Sequence, residues 1–393
     1  MAHELLAAAQ GIAPELVENR RTIHAHPELA YQEYRTAALV ADHLRGLGLE
    51  VQTGIGGTGV VGLLRGSRPG RTVLLRADMD ALPILETGER PYLSENQGVM
   101  HACGHDGHTA VLLGAARLLT ERRNEIDGAV KFMFQPAEEG GAGALRMIEQ
   151  GLLDSPKVVA AFALHVDPLH YAGEIGTRTG PTMAAADRFT IEVRGAGGHA
   201  ARPHLAVDPV VVASQIVNAL QTLVSREVDP AHPAVLTIGS FVAGAAFNVI
   251  PDIATLKGTV RAFAPEVRAL LERRLGEVSA GVAAALRAEV HVDYEQLYPP
   301  LINHDSGVAL VERVVTEVLG PEALVQRDLM MGAEDFSYLL QRVPGAMFYL
   351  GVRGRAWAEA RPIHSALFDM DERALPVGAA VMAGTALRYL AGG

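Results

Sequence analysis

Cys103 is the only cysteine of the chain, and it sits in the string MHACGHDGH (residues 100–108) beside His101, His105 and His108. A thiolate and an imidazole two residues apart can reach one centre from a single turn, and a borderline-soft divalent ion such as zinc suits that pair. The same thiol could be a nucleophile activated by a histidine, or a small buried apolar side chain. A second cluster is FMFQPAEEGG, where Glu138 and Glu139 follow an apolar run and a proline. Adjacent side chains point in different directions. One carboxylate can therefore hold an ion while the other takes a proton from water, the division of labour that metal-assisted hydrolysis needs. Paired acids also suit a solvated helix N-terminus, where negative charge is favoured.

His165 ends the apolar run of ALHV, and His364 lies in RPIHSALFD. A lone histidine in either setting is more often packed or solvated than a ligand. Asp78 and Asp80 in RADMDALP end another apolar run, where carboxylates can bind a metal or orient a ligand's imidazole. His24 and His26 in HAHPEL read as part of a packed turn, and His101 and His108 as structural or supporting groups. Glu334 and Asp335 in GAEDFS are left without a role.

The elements that carry these residues alternate. AALVADHLRGLG has helical spacing with glycines at its end, TGVVGLL and RTVLLRADMDALP read as strands, and HTAVLLGAARLLTE as a helix. GAVKFMFQP, AGALRMIEQG and KVVAAFALHV continue as strand, helix and strand. Such alternation predicts an α/β layer architecture around a largely parallel sheet, with the site at the carboxyl ends of the strands. DMD, QPAEE and LHV each follow or end an apolar strand and so fall on one rim. The middle of the chain changes rhythm. DRFTIEVRG, DPVVVASQIVNALQTLVSR, AVLTIGSFVAG, DIATLKGTVRAF, PEVRALLERRLGEVSAGVAAALRA and EVHVDYEQLYP give the order βαββαβ, an α+β plan. The expected organisation is a catalytic domain of residues 1–182 and 297–393 with an inserted α+β domain of residues 183–296.

A chain of 393 residues is long for one core, which agrees with two domains. Its 45 acidic against 34 basic residues give a net charge of −11, which argues against binding nucleic acid through phosphates. A single cysteine allows no intramolecular disulfide, so a reducing, cytoplasmic setting is expected. MAHELLAAAQGIAPELVENRR reads as one amphipathic helix rather than a signal peptide. PVGAAVMAGTAL is too short to span a bilayer and reads as a buried helix, so no membrane association is expected.

Taken together, the order of these strings resembles the aminoacylase, hippurate hydrolase and auxin-conjugate (IAA-amino acid) hydrolase family of dimetal amidohydrolases, part of the superfamily of zinc carboxypeptidases and desuccinylases. The resemblance runs from RRTIHAHPELAYQE through RADMDALP, MHACGHDGHTA, FQPAEEGGAGA, ALHV, GGHAARPH, FNVIPD, GTVRAF and MGAEDFS to PIHS, essentially the whole chain. It implies two divalent metal ions per subunit (zinc, manganese, cobalt or nickel) held by Cys103, His105, Glu139, His165 and His364, with the Cys103 thiolate bridging. It implies Glu138 as general base and Asp80 as support for a ligand. The superfamily more often has His-x-Asp where this chain has Asp78-Met79-Asp80, and aspartate in place of Cys103; the aminoacylase-like branch shares both departures. The resemblance further implies a metallopeptidase-like catalytic domain, a ferredoxin-like inserted domain that mediates dimerisation, and a homodimer or dimer-based oligomer. It also implies substrate contacts at His199, Asn248 and Arg261, with His199 able to act across the interface. A guanidinium such as Arg261 fits a carboxylate because its fork of donors can bind two oxygens. The expected substrate is a small N-acyl amino acid. Dipeptidase, carboxypeptidase, N-acetyl or N-succinyl deacylase activity, a non-catalytic metal-binding role and a thiol hydrolase remain the alternatives.

Overall fold

The computed structural model describes residues 2–392. In chain order its main strands are β1 (Glu50–Ile55), β2 (Gly59–Arg65), β3 (Arg68–Asp78), β4 (Asp127–Gln135), β5 (Val158–Tyr171), β6 (Ile175–Thr177), β7 (Ala185–Arg194), β8 (Ala234–Ala243), β9 (Ile253–Ala262), β10 (Glu289–Gln296), β11 (Leu324–Gln326) and β12 (Gly345–Arg353). The chain divides into two compact units. One comprises the residues up to Gly180, Ile302–Asp328 and the residues from Asp335 on; the other comprises Pro181–Leu301 and Leu329–Glu334.

The first unit is built on an eight-stranded sheet of order β1-β2-β4-β3-β5-β12-β6-β11. The pairs β3–β4, β3–β5, β5–β12 and β6–β11 are parallel, whereas β1–β2, β2–β4 and β6–β12 are antiparallel. The sheet is thus parallel at its centre and mixed towards its edges, less uniform than strand–helix alternation alone predicts. Tight connections such as the one between β1 and β2 force antiparallel pairing, because a parallel return needs a long crossover. The central strands are buried on both faces, so Val73, Leu74 and Leu75 are all inaccessible and the sequence reads as an unbroken apolar run. Phe132, Phe134, Phe162, Phe348 and Leu350 join residues from helices His105–Glu121 and Leu375–Leu390 in one core. The second of these helices is the buried segment PVGAAVMAGTAL. No helix among the described residues is long and apolar enough to cross a membrane.

Two boundaries differ from the sequence reading. The N-terminal segment forms two helices, Ala2–Gly11 and Ala13–Ala25, instead of one. Pro14 explains the break: lacking an N–H and clashing with the preceding turn, proline is accommodated in a first turn but not in a helix interior. In addition, β5 runs on to Tyr171, so His165 lies within the strand and not at its end.

The second unit holds a four-stranded antiparallel sheet of order β8-β9-β7-β10. Phe189, Ile191 and Val193 alternate with polar residues along β7 and pack with Val212, Ile216 and Leu220 of helix Pro209–Thr222 and Leu271 and Leu275 of helix Pro265–Ala285. One face of the sheet is buried under two helices and the other is polar, as alternation along an antiparallel strand requires. Residues 329–334 join this unit, although the expected boundary left them in the other. Ala184 N–H donates to the carbonyls of Met330 (3.1 Å) and Gly332 (2.9 Å), and Met330 N–H donates to Thr182 (3.0 Å). Backbone pairing across such a sequence separation leaves no compositional trace.

Candidate metal centre

Five segments of the first unit bring the candidate residues together. Strand β3 ends at Asp78, two residues before Asp80. The long segment between β3 and the next helix carries Cys103, and Gly104 then caps that helix, which begins at His105. Gly104 adopts φ +89°, and a Cβ there would lie 2.5 Å from Val166 Cγ2, so only glycine lets helix and strand approach this closely. Strand β4 ends at Gln135 and delivers Glu138 and Glu139; β5 supplies His165; a long loop after β12 supplies His364, whose backbone N–H donates to the Ala102 carbonyl at 2.8 Å.

The donor atoms of Cys103, His105 and His165 lie within 4.8 Å of one another, and so do those of Cys103, Glu139 and His364. The two triads share the thiol. A third group of the same size contains His105, Glu138 and Glu139. Cys103 Sγ is 3.5 Å from His165 Nε2, and His364 Nε2 is 3.1 Å from Glu139 Oε1. Cys103, His105, Glu138 and His165 are buried, whereas the His364 side chain is 51% exposed.

Hydrogen bonds fix which atoms remain for an ion. His165 Nδ1 donates to the Val166 carbonyl at 2.8 Å, which leaves the Nε2 lone pair facing Cys103. Burial keeps this imidazole neutral, with its pKa lowered to about 4. His105 is buried and neither ring nitrogen makes a hydrogen bond; the nearest carboxylate oxygens are Asp80 Oδ1 at 3.3 Å and Asp78 Oδ2 at 3.6 Å. A buried imidazole flanked by carboxylates and beside a thiol, with neither nitrogen in a well-formed hydrogen bond, is a poor arrangement for packing and a good one for a cation. His108 differs. Its Nε2 accepts from Val166 N–H at 2.8 Å and its Nδ1 donates to Asp78 Oδ1 at 2.6 Å, so both nitrogens are used and it supports the centre instead of ligating.

Charge tells the same story. Burial, with Glu139, Glu138 and Asp78 nearby, pushes the Cys103 thiol well above its ordinary range. Burial alone would lower His105, but Asp78, Asp80 and Glu139 outweigh it and lift the pKa to about 10. Burial likewise opposes ionisation of Glu139, yet His364 and His105 hold its carboxyl below the usual value. Anions gathered around a thiol and an imidazole force protons onto both, and a divalent cation would displace those protons.

The surroundings hold the carboxylates rigidly. Asp80 accepts the backbone N–H groups of Glu138 and Glu139, both at 3.0 Å. Arg76 is fully buried in β3 and pairs with Asp78 at 2.8 Å and Asp335 at 3.1 Å. Asp335 also accepts from Gln135 Nε2 at 2.7 Å and from Ala144 N–H at 3.0 Å, so this residue of GAEDFS ties the end of β4 to the helix after the Glu138 turn. Loss of either partner of such a buried pair strands a charge and costs about 3–5 kcal/mol. Non-glycine residues with positive φ occur at Ala137 (+54°), Ala142 (+54°) and His364 (+58°), a conformation that costs roughly 1–2 kcal/mol each.

His199, Asn248 and Arg261 lie in the second unit. His199 is exposed in a two-residue strand paired with Val249–Ile250, and Ala200 N–H donates to the Asn248 carbonyl at 3.2 Å, so these two are neighbours. Arg261 is half-buried on β9, where burial lowers its pKa.

The chain is similar to known proteins over nearly its whole length. Residues 74–388 match the model of peptidase family M20/M25/M40. An IAA-amino acid hydrolase (ILR1-like 5) of Arabidopsis thaliana is 41% identical over 98% of this chain and 89% of its own length. Thermostable carboxypeptidase 2 of Saccharolobus solfataricus is 40% identical over 95% of both chains. Among solved structures, the Bacillus subtilis YXEP protein, a dinuclear metal binding peptidase from the M20 family, superposes with a TM-score of 0.86 at 34% identity, covering 98% of this chain and 99% of that one. The family match and these relatives show a metal-dependent hydrolase of amide bonds. The chain belongs to peptidase family M20/M25/M40.

Proposed function

We propose that the protein hydrolyses the amide bond of N-acyl amino acids, with Cys103, His105, Glu139, His165 and His364 as ligands of two divalent ions and Glu138 as general base. The observation that carries this reading is the pair of donor triads sharing Cys103. When bound, such ions acidify water and polarise a carbonyl oxygen. Glu138, buried beside Glu139 and His105, takes the proton from the attacking water and passes it to the leaving amine. Asp80, holding two successive N–H groups, keeps Glu138 and Glu139 aimed at the same centre. The thiol is a ligand and not a nucleophile: it is buried and surrounded by anions, which oppose a free thiolate. The relatives that are IAA-amino acid hydrolases support an acyl amino acid as substrate; the carboxypeptidase relative supports a peptide as the second reading. Among the candidate ions, one thiolate with three imidazoles favours zinc, cobalt or nickel over manganese.

We further infer that the protein is a cytoplasmic homodimer formed through the second unit. Its β8 is an edge strand, and Phe241 and Val242 near its end are exposed, as are Val249 and Ile253 and the wholly exposed Phe247. An unpaired strand edge with apolar side chains invites pairing with a second copy. In that assembly His199 would serve the partner subunit's centre by stabilising the oxyanion, while Asn248 and Arg261 would bind the substrate's backbone and carboxylate.

The test is amine release from a panel of N-acyl amino acids and dipeptides, by metal-loaded protein and by protein stripped with a chelator. Release from acyl amino acids that disappears on stripping is expected. Equal release after verified metal removal would overturn the metal mechanism. Release from dipeptides alone would shift the assignment to the second reading.

A further inference from the structure

The sequence HPELAYQE has no role in the chemistry described so far, yet it places a buried carboxylate against the turn that carries Glu138 and Glu139. Glu33 is fully buried. Its Oε1 accepts the Ala137 N–H at 2.9 Å and the Tyr31 N–H at 3.0 Å, and its Oε2 accepts the Thr58 hydroxyl. Tyr31 reaches the far side of the same turn, where its hydroxyl donates to the Gly141 carbonyl at 2.5 Å. The fit is close: a Cβ on Gly141 would lie 3.0 Å from the Tyr31 ring and 2.6 Å from Ala137 Cβ.

These contacts matter because of where the backbone turns. Strand β4 ends at Gln135, and Pro136 has no N–H to anchor it. Ala137 then adopts φ +54° and ψ +48°, a left-handed conformation that an alanine holds only when its surroundings enforce it. That reversal aims the next two N–H groups, of Glu138 and Glu139, at Asp80. Three consecutive amides are thus divided between two buried carboxylates, Glu33 on one side and Asp80 on the other. Without Glu33, the Ala137 N–H is buried without a partner and the turn is free to relax towards ordinary dihedrals, carrying the Glu138 carboxyl away from the centre.

We propose that Glu33, assisted by Tyr31, is a positioning residue of the hydrolytic reaction, holding the left-handed turn at Ala137 that presents Glu138 and Glu139. The proposal rests on the roles assigned above to those two glutamates. Glu33→Ala is expected to lower kcat about 10–100-fold on the N-acyl amino acid that the unmodified protein turns over fastest, while KM moves far less, because small displacements of a reacting group are costly. Glu33→Gln keeps an acceptor for Ala137 and restores most of kcat. Ala137→Gly in the Glu33→Ala background also recovers much of the loss, since glycine enters the left-handed region without a Cβ penalty. Rescue by a change at residue 137 distinguishes positioning from general destabilisation. A Glu33→Ala protein with unchanged kcat, or one that neither Glu33→Gln nor Ala137→Gly rescues, would overturn the proposal.

Two measurements keep the test open if that variant does not fold or if no acyl amino acid is turned over. Thr58→Val frees one Glu33 oxygen and Tyr31→Phe removes only the hydroxyl on Gly141. In both, amide hydrogen exchange in residues 136–143 is expected to accelerate while β3 and β5 stay protected. Unchanged exchange in that segment would overturn the proposal without reference to any substrate. If exchange and the kcat rescue behave as expected but Glu138→Gln retains activity, the assignment of Glu138 fails and the clamp stands.

Discussion

The two triads that meet at Cys103 are held in different ways. Cys103, His105 and His165 stand on a helix N-terminus and a central strand, and the imidazoles are backed by Asp80 and the Val166 carbonyl, with His108 and Asp78 packed behind them. All three residues are buried. Glu139 and His364 stand on connecting segments, Glu139 just past the left-handed Ala137 and His364 itself at φ +58° and half exposed. The difference teaches that the inner triad owes its geometry to the core, whereas the outer one depends on local anchors: Glu33, the Ala102 carbonyl and Asp80, the last shared with His105 of the inner triad. If both triads hold ions as proposed, the inner one should bind more tightly and the outer one exchange more readily.

The strongest way to break this contrast is at Glu138, the proposed general base. Glu138→Gln is expected to lower kcat by about 10²–10⁴-fold with both ions still bound, measured by kinetics alongside elemental analysis. Near-normal turnover would remove Glu138 as the base. Next in size is the contrast itself. His165→Ala should lose the inner ion and nearly all activity, while His364→Ala should retain one tightly held ion per subunit. Equal, partial losses from the two variants would show that the triads are not distinct. A smaller effect is expected behind the inner triad: His108→Ala removes one partner of Asp78 and the acceptor of Val166 N–H, and should weaken metal binding about 10–100-fold, as loss of such supporting groups typically does.

The smallest effect is a pH dependence. The metal-free His105 is held protonated, with its pKa raised to about 10, and the Cys103 thiol lies well above its ordinary range. Ligation requires both protons to leave, so metal affinity should rise with pH through the neutral range, and calorimetry in buffers of different ionisation enthalpy should register proton release on binding. Affinity independent of pH would mean that neither group ligates.

The same contrast governs what was legible in the sequence. Cys103 with His105, and Glu138 with Glu139, stand out because each pair lies within one short segment. His165 and His364 are single histidines whose meaning comes from pairing far along the chain, and only resemblance to a family singled them out. The sequence separates His105, paired with Cys103, from His108, which reads as a structural or supporting group, but not the physical cause: both are buried on the same helical turn, and the Val166 N–H and Asp78 occupy the two His108 nitrogens. Glu33 went unassigned although its motif was visible, because its partner, the Ala137 amide, is 104 residues away and is a backbone group that no side-chain pattern reveals. The alternation of apolar strands and helices anticipated the sheet, but not its antiparallel edges or the attachment of residues 329–334 to the second unit. Those are decided by turns and by backbone pairing, which composition does not record.

The central claim is that two ions share the Cys103 thiolate. The most direct measurement is stepwise return of a divalent metal to stripped protein, following bound metal and amide hydrolysis together, for the unmodified protein and Cys103→Ser. The account predicts that activity saturates at two ions per subunit and that Cys103→Ser binds both ions more weakly, with activity falling in step. Full metal binding by Cys103→Ser at unchanged affinity, with turnover abolished, would contradict it and return the thiol to the role of nucleophile.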